Sequence, residues 1–333
     1  MNKLSIGFPF SMSGGGPSLF MKRLRESVHR QKLAQISYFL NPLTDVNIYS
    51  NVVRNFYNKP YIFRVDGIYF DKMQSSEAGK KRNQPIFEGI DKASGIVFQS
   101  DFSYKLICNF YKQPKIPFTI INNGTDTSVF TPYGTDKREK LGIGKNDLVF
   151  ISSANWRAHK RLKDIVAVFI EYSKNTDKTC HLIILGQADN PEDIRHPGLH
   201  FVGNVTPEEL PQWYRTADIC LFFSWLDNCP NAVAEAIACG LPVVCTNQGG
   251  TKELVELTKG GIVAEADEQF PFEPTDLYHP PAPDYRKLLD AIHDVVSHYE
   301  HYVERIDRKK IDIDYVASEY IGFIKTVLEF KNQ

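Results

Sequence analysis

The feature that most constrains the fold is an alternation of two hydrophobic patterns along the 333 residues of the chain. Short apolar runs, each long enough for one buried strand, alternate almost from end to end with segments that have the period of an amphipathic helix. This alternation is typical of parallel α/β sheets, because each connection between parallel strands needs a crossover, usually a helix. We therefore predict two doubly wound parallel sheets in series.

The strand-length runs form two series, separated by a predicted linker at 131–146 that contains Pro, Gly and charged residues. The first series comprises 3–10, 61–65, 95–100 and 117–122, with a Gly-rich turn (11–18) and a helix (17–34) after its first strand. The second series comprises 147–154, 181–186, 199–203, 217–223 and 241–245. We therefore place a first domain at 1–135 and a second at 145–310.

A Pro-rich segment at 265–284 is long for a connection between two elements. Two interpretations of this segment remain open, a surface insertion or a lid over a site. Helical periodicity follows it from Tyr285 to the end of the chain.

The net charge of −1 is unevenly distributed between the two predicted domains. Residues 1–135 contain 17 Lys and Arg against 9 Asp and Glu, and the rest of the chain contains 22 against 31. Much of the basic excess lies at 21–32 and 80–82. A basic first domain would attract an anionic partner, either a phosphorylated acceptor or a membrane surface. The alternative is a solvated helix face and a loop.

Several classes of protein are disfavoured by what the sequence does not contain. No aromatic-interleaved basic motif indicates nucleic-acid binding. No apolar run reaches the ~18–20 residues of a spanning helix, and no signal-peptide pattern opens the chain. The expected location is therefore cytoplasmic, including the peripheral cytosolic face of a membrane. The Walker A and dehydrogenase fingerprints are also missing.

The segment from Asp227 to Val255 concentrates the polar chemistry. Asp227 and Glu235 stand eight positions apart around a predicted helix start. The first turn of that helix, 230–233, favours an anion, because its N–H groups lack partners within the helix. An acid one turn further along can accept hydrogen bonds from hydroxyl groups. Phosphate-binding backbone beside a hydroxyl-binding carboxylate is the chemistry that a sugar nucleotide requires.

Five ordered motifs widen this observation: INNGTDTSVFTP (121–132), SANWRAHKRLKDIV (153–166), LGQADN (185–190), VGNVTPEELPQWYRTADICLFFSWLDNCPNAVAEAIACGLPVV (202–244) and GGTKELV (249–255). In this order they resemble the retaining nucleotide-sugar glycosyltransferases of family 4, which have the GT-B architecture. The resemblance extends from about residue 90 to 330 and is weaker before it. It implies two Rossmann-like domains facing across a cleft, with a C-terminal helix at about 312–330 that returns to the first domain.

The resemblance also implies roles for two acids and two cations. Glu235 corresponds to the acid that holds the ribose hydroxyls, and Asp227 to a glutamate near the transferred sugar, with one methylene fewer. Lys160 and Arg157 would neutralise the diphosphate leaving group, and Arg161 could exchange roles with either. The residues alone leave simpler roles open: a helix cap for Asp227, a solvated helix acid for Glu235 and surface charge for the cations.

Enzymes of this family commonly place a histidine from the first domain in the active site, but residues 1–135 contain only His29. We therefore expect Asp66, just after the strand at 61–65, to face the reacting sugar or the acceptor, while a turn role for Asp66 and Gly67 remains open. The other expected donor contacts are Gly14, Gly15, Gly16, Asn204, Val205, Ser224, Cys229, Pro230, Asn231 and Ala232.

The expected function is a retaining, metal-independent transfer of a hexosyl group without a cofactor. The donor would be a UDP- or GDP-linked sugar, and the acceptor a glycan, a lipid-linked or another anionic molecule. Two alternatives remain, a sugar-nucleotide epimerase with the GT-B fold and a catalytically weak subunit that binds sugar nucleotides.

Overall fold

The computed structural model describes residues 3–9, 15–38, 41–50, 53, 58–72, 76–188 and 195–331. The chain divides into two compact units, which are discontinuous in sequence. The first unit comprises 1–126, 270–276 and 311–333, and the second comprises 127–269 and 277–310. The change from the first unit to the second thus falls at Thr127, before the linker predicted at 131–146.

The first unit is built on a parallel sheet with the strand order β2-β1-β3-β4-β5-β6 among its described residues. Its strands are β1 (Ser5–Phe8), β2 (Gln35–Tyr38), β3 (Val46–Ser50), β4 (Tyr61–Val65), β5 (Gly95–Phe98) and β6 (Phe118–Ile120). Its helices are α1 (Gly15–Arg30), α2 (Ser76–Lys92), α3 (Asp101–Phe110) and the C-terminal α10 (Ile313–Lys331).

Helix α10 packs against α1 and shares one hydrophobic core with it and with the strands of the first sheet. The rings of Phe20 and Tyr320 lie 5.9 Å apart within this core. At the edge of the same contact, Arg30 forms an ion pair with Asp314. The last helix of the chain therefore supplies one wall of the core that the first strands begin.

The first unit also includes residues 270–276, which belong to the predicted Pro-rich segment. Phe270 is 3% exposed, and its ring lies 5.9 Å from that of Phe70. Thr275 forms a parallel β-bridge with Asp71. Its N–H donates to Phe70 O at 3.1 Å, and its carbonyl accepts from Lys72 N at 2.8 Å. The segment is therefore bound to the first unit by apolar packing and by backbone hydrogen bonds.

The second unit contains a parallel sheet with the order β12-β11-β10-β7-β8-β9 among its described residues. Its strands are β7 (Leu148–Ser153), β8 (Cys180–Leu185), β9 (Leu199–Gly203), β10 (Ile219–Phe222), β11 (Val243–Thr246) and β12 (Gly261–Ala264). Its helices are α4 (Leu162–Lys174), α5 (Leu210–Thr216), α6 (Asn231–Ala238), α7 (Thr251–Thr258), α8 (Tyr285–Ser297) and α9 (Tyr299–Arg305). This is the doubly wound Rossmann order, in which the winding reverses between β7 and β10.

The predicted α/β class with two doubly wound parallel sheets is therefore confirmed, and every predicted strand is present with its ends within two residues of the predicted ones. Three short strands, β2, β3 and β12, were not predicted. Gly15 and Gly16 lie in the first turn of α1 rather than in a preceding loop, and the basic residues 80–82 lie on helix α2. Among the described helices, none is long and apolar enough to span a membrane.

Candidate functional site

The carboxyl ends of β7 and β10 lie side by side where the winding of the second sheet reverses, which is where ligands bind in this architecture. After β7 the chain makes a short 3-10 helix, Ala158–Lys160, before α4 begins. The carbonyl of His159 in this turn accepts a hydrogen bond from Trp225 N, just beyond β10, at 2.8 Å. The two strand ends are therefore joined through the backbone as well as through the sheet.

An ion pair joins the side chains that follow these two strands. Lys160 Nζ contacts Asp227 Oδ2, and each side chain is 16% exposed. Asp227 Oδ1 also accepts from Cys229 N at 3.3 Å. The structure therefore brings together the predicted leaving-group cation and the predicted sugar contact.

The backbone that carries Asp227 is strained and tightly packed. Leu226 has φ 60°, a left-handed conformation that costs about 1–3 kcal/mol for a residue other than glycine. Gly250 N donates to Asp227 O at 2.7 Å. A Cβ on Gly249, which has φ 77°, would lie 2.7 Å from the same carbonyl oxygen, so only glycine fits. The Gly-rich turn before α7 therefore fixes the backbone of Asp227 through these contacts.

Glu235 lies in the second turn of α6 and is 4% exposed. Burial raises the pKa of the Tyr214 hydroxyl well above its ordinary value, and the charge of Glu235 contributes to the same shift. That hydroxyl stays protonated and donates to Ala232 O at 3.2 Å. Glu235 is therefore a buried acid within α6 and not a solvated helix acid.

The first turn of α6 offers fewer donors to an anion than the sequence suggested. Pro230 occupies the N-cap position and has no N–H, while Val233 N donates to Pro230 O at 3.2 Å. Cys229 N is directed at Asp227, as described above. Pro230 and Cys229 therefore shape the turn, and Asn231 and Ala232 are the first helical residues; no side chain caps this end of α6.

Two buried hydroxyls near these elements are not satisfied within the described part of the chain. Ser224 Oγ, just beyond β10, and Thr251 Oγ1, at the start of α7, have no hydrogen-bond partner there. The Ser224 side chain is 2% exposed and that of Thr251 is 1% exposed. Buried polar groups are usually paired, so orphaned hydroxyls at strand ends mark places where a ligand could bind.

The other two cations of the turn after β7 are not part of the Lys160–Asp227 pair. Arg161 is buried and has φ 55°, and its guanidinium binds both carboxylate oxygens of Asp267 at 2.6 and 2.9 Å. A role for Arg161 on the leaving group is therefore wrong, because its charge is already paired in the interior. Arg157 is exposed and lies on the wall of a separate cavity.

Asn204 and Val205 follow β9, at the edge of the second sheet and two strands away from Lys160. Gly203 O accepts from Gly186 N at 2.8 Å, which ties the ends of β8 and β9 together. Asn204 is exposed and Val205 is half-buried. Their predicted contact with the base stays a prediction.

Asp66 follows β4 at the carboxyl edge of the first sheet, as predicted, but its carboxylate binds three neighbouring side chains. It pairs with Arg64, accepts from Ser50 Oγ, and accepts from Gln99 Nε2 at 3.1 Å. Arg64 in turn donates to Asn123 Oδ1 at 2.6 Å. This buried network favours a structural role for Asp66 over contact with a substrate. Of the three predicted glycines, Gly14 lies outside the described residues.

His159 lies within the motif at 153–166 but was not predicted as a site residue. Burial, together with the charge of Lys160, lowers the pKa of His159 to about 4. The imidazole is therefore neutral near pH 7, and the positive charge of this turn rests on its Lys and Arg residues. The one signal for it in the sequence was a histidine between Arg157 and Lys160.

Solved structures share the fold of the chain. Sucrose-phosphate synthase from Thermosynechococcus elongatus matches with a TM-score of 0.70 and 15% identity, covering 98% of this chain and 100% of that one. Anabaena HepE in complex with UDP and glucose matches with a TM-score of 0.67 and 15% identity, over 98% of this chain and 100% of that one. The chain therefore has the GT-B fold, with two Rossmann-like sheets.

Sequence comparisons match a known family domain. Residues 145–272 match the family described as Glycosyl transferases group 1. D-inositol 3-phosphate glycosyltransferase from Arthrobacter sp. (strain FB24) is 27% identical over 241 residues, which are 67% of this chain and 53% of that relative. The chain thus spans about half of the length of this relative. The second unit carries a glycosyltransferase group 1 domain, which confirms the resemblance inferred from the motifs.

The depressed pKa of His159 makes the stability of the second unit depend on pH. Its folded-state pKa of about 4 is below the ordinary 6.5, so the unfolded chain takes up this proton first as the pH falls. Between pH 7 and pH 4 the wild type should lose up to about 3 kcal/mol of unfolding free energy relative to His159→Gln.

Urea unfolding at several pH values checks this, read by tryptophan fluorescence, because Trp156, Trp213 and Trp225 all lie in the second unit. His29→Gln, a change at an exposed position of α1, should follow the wild-type profile. Parallel profiles for the wild type and His159→Gln would show that His159 titrates as it does in the unfolded chain.

Proposed function

We propose that the protein is a retaining glycosyltransferase that takes its sugar from a UDP- or GDP-linked donor, without a metal ion. The observation that carries the proposal is the meeting of Lys160 and Asp227 across the reversal point of the second sheet, beside the first turn of α6. Phosphate-binding groups and a ribose-binding acid then follow two adjacent strands, β7 and β10. The structure of Anabaena HepE contains UDP and glucose in the same fold, which supports this class of donor.

In the proposed reaction the bond between the anomeric carbon and the diphosphate oxygen breaks, and a bond from the acceptor hydroxyl to that carbon forms on the same face. The acceptor proton passes to a phosphate oxygen of the departing nucleotide. Negative charge develops on the leaving oxygen, and Lys160 is the cation placed to stabilise it. The N-terminus of α6 adds partial positive charge.

In this proposal, Asp227 has a different role from that of the corresponding glutamate in the glycosyltransferases of family 4. One of its oxygens binds Lys160 and the other accepts from Cys229 N, so the carboxylate orients the lysine. An oxygen with remaining lone pairs can still accept from a hydroxyl of the transferred sugar. Leu226 and Gly249 fix the backbone of Asp227 before any ligand binds, which lowers the ordering cost of binding.

A panel of nucleotide sugars tests the reaction class. Incubation with UDP- and GDP-linked hexoses should release the nucleoside diphosphate from one of them, with the product glycoside in the anomeric configuration of the donor when an acceptor is supplied. Lys160→Met should reduce this release by about 100-fold or more, as for other groups that stabilise a leaving oxygen. Recovery of an isomerised donor would indicate the epimerase instead, and binding without turnover would indicate a binding subunit.

If Glu235 binds the ribose hydroxyls, its replacement should reduce the preference of the protein for UDP over 2′-deoxy-UDP. The wild type should bind UDP about tenfold or more tightly than 2′-deoxy-UDP, because hydrogen bonds to a charged acceptor contribute about 1.5–3 kcal/mol. Glu235→Gln, which keeps the shape of the side chain, should reduce this preference, and Glu235→Ala should abolish it. Calorimetric titration measures both affinities.

Glu256→Ala is the matched control, because Glu256 lies exposed on α7. Thermal unfolding of each variant without ligand separates lost binding from lost fold. Unchanged discrimination in a folded Glu235→Ala protein would remove Glu235 from the donor site.

We further propose that the acceptor is anionic or lipid-linked and that the first unit meets an anionic membrane surface. Helix α2 presents Lys80, Lys81 and Arg82 to solvent, and the guanidinium of Arg82 lies 5.4 Å from the ring centroid of Tyr69, which is 47% exposed. Exposed cations beside an aromatic ring suit a lipid headgroup region. The D-inositol 3-phosphate named for the Arthrobacter relative is also anionic.

Vesicle sedimentation tests the membrane proposal. The protein should sediment with phosphatidylglycerol vesicles at low salt and be released at high salt, since each Lys or Arg near an anionic surface contributes about 1 kcal/mol. Replacing Lys80, Lys81 and Arg82 by Glu should abolish sedimentation. The charge-matched control replaces Lys145, Lys174 and Lys178 of the second unit, all exposed, and should still sediment. No sedimentation of the wild type at low salt would end this proposal.

A further inference from the structure

The second unit contains a cavity of about 310 Å³ that the proposed reaction does not use. It opens between the turn after β7, the start of α4 and the segment around Tyr278. Lys160, Asp227 and Glu235 are not among the residues that line it. The volume falls at the lower end of the range for small-molecule sites, roughly 300–1,000 Å³. The residues that matter below are Trp156, Arg157, Leu162, Lys163, Tyr278 and Pro280.

One buried side chain fixes the wall of this cavity that comes from the Pro-rich segment. The guanidinium of Arg161 binds Asp267 through two hydrogen bonds and also donates to Pro281 O at 2.7 Å. In the sequence, Asp267 precedes Tyr278 and Pro280, and Pro281 follows them. Because Arg161 is 2% exposed, these contacts are shielded from solvent. The wall therefore exists before any ligand enters.

The polar part of the lining is positive. Arg157 and Lys163 are exposed, and neither forms an ion pair with any residue that the structure describes. The wall also includes the first residues of α4, a helix of thirteen residues whose N-terminus no side chain caps. A helix N-terminus favours an anion through its N–H groups and its dipole.

The acid on the wall, Asp164, is already engaged. It accepts from the hydroxyl of Tyr285 at 2.7 Å. Burial raises the pKa of Tyr285 to about 12, so this hydroxyl remains a donor at physiological pH. Asp164 is thus held by a neighbour on α8, and the cations face the cavity without a competing ion pair.

The apolar part of the lining is aromatic and flat. Trp156 is held by a hydrogen bond from its Nε1 to Leu185 O at 2.9 Å, and Tyr278 is 61% exposed at the rim. Pro280 adds a rigid apolar surface beside Tyr278. Such surfaces pack against the C–H face of a sugar ring, while a few polar groups fix its orientation.

We propose that this cavity binds a phosphorylated monosaccharide, separately from the nucleotide-sugar donor. The phosphate binds Lys163, Arg157 and the N-terminus of α4, and the sugar ring packs between Tyr278 and Trp156. Arg157 lies at the start of the 3-10 helix that ends at Lys160, so an occupied cavity also steadies the turn that carries the proposed leaving-group cation.

Calorimetric titration of the full chain with glucose 6-phosphate tests this site without requiring any glycosyl transfer. Glucose 6-phosphate should bind, and glucose and inorganic phosphate should each bind at least about tenfold more weakly, because each offers only half of the contacts. Lys163→Met and Tyr278→Ala should each weaken binding by about tenfold or more. Lys174→Met, at the other end of α4, is the matched control and should bind as the wild type does.

Saturating UDP should not weaken the binding of glucose 6-phosphate, since the two ligands occupy different places. Competition by UDP would assign the cavity to the donor site and overturn the proposal. Inorganic phosphate binding as well as glucose 6-phosphate would show anion binding without sugar recognition, and no heat with glucose 6-phosphate would show no site. Each of these outcomes would also contradict the proposed sugar-phosphate site, whether or not the panel of nucleotide sugars shows glycosyl transfer.

Discussion

The second unit is organised around a positive charge that it keeps in its interior. An unpaired guanidinium out of water would cost several kcal/mol, so Arg161 must find acceptors where it lies. It finds them in Asp267 and in the carbonyl of Pro281, on the two stems of the Pro-rich segment. The turn after β7 is thereby held to that segment, and the position of Lys160, one residue earlier, follows from the same contacts.

The acid opposite Lys160 is positioned by backbone rather than by side-chain packing. A left-handed Leu226 precedes it, and Gly249 approaches so closely that no Cβ would fit. Asn247, just before that turn, donates to Glu265 and to Asp267 O at 2.7 and 3.1 Å. The cation and the acid of the proposed site therefore rest on one connected set of contacts, which runs from the turn after β7 through Asp267 to the turn before α7.

The sequence specified the fold class and the second sheet well, because long apolar strands and Gly-rich strand ends are local signals. It missed β2, β3 and β12, since strands of four or five residues show too little periodicity to be recognised. It placed Lys160 and Asp227 after strands and Glu235 one turn inside a helix, where the structure also has them. It could not foresee that Arg161 is buried, because whether a surface-type residue is paired inside depends on Asp267, which lies 106 positions away. The same limit applies to Asp66, whose partners Ser50 and Gln99 come from neighbouring strands.

The discontinuity of the first unit bears on the order in which the chain acquires its structure during synthesis. Domains usually fold as the ribosome releases them, the N-terminal one first. Here the core of the first unit needs α10, whose Ala317, Tyr320 and Ile324 are buried against the first strands and α1. Those residues leave the ribosome after the whole of the second unit. The second unit is complete at Lys310, so it can fold while the earlier-made sheet still waits for its final helix, and the nascent first unit is the part that needs protection from aggregation.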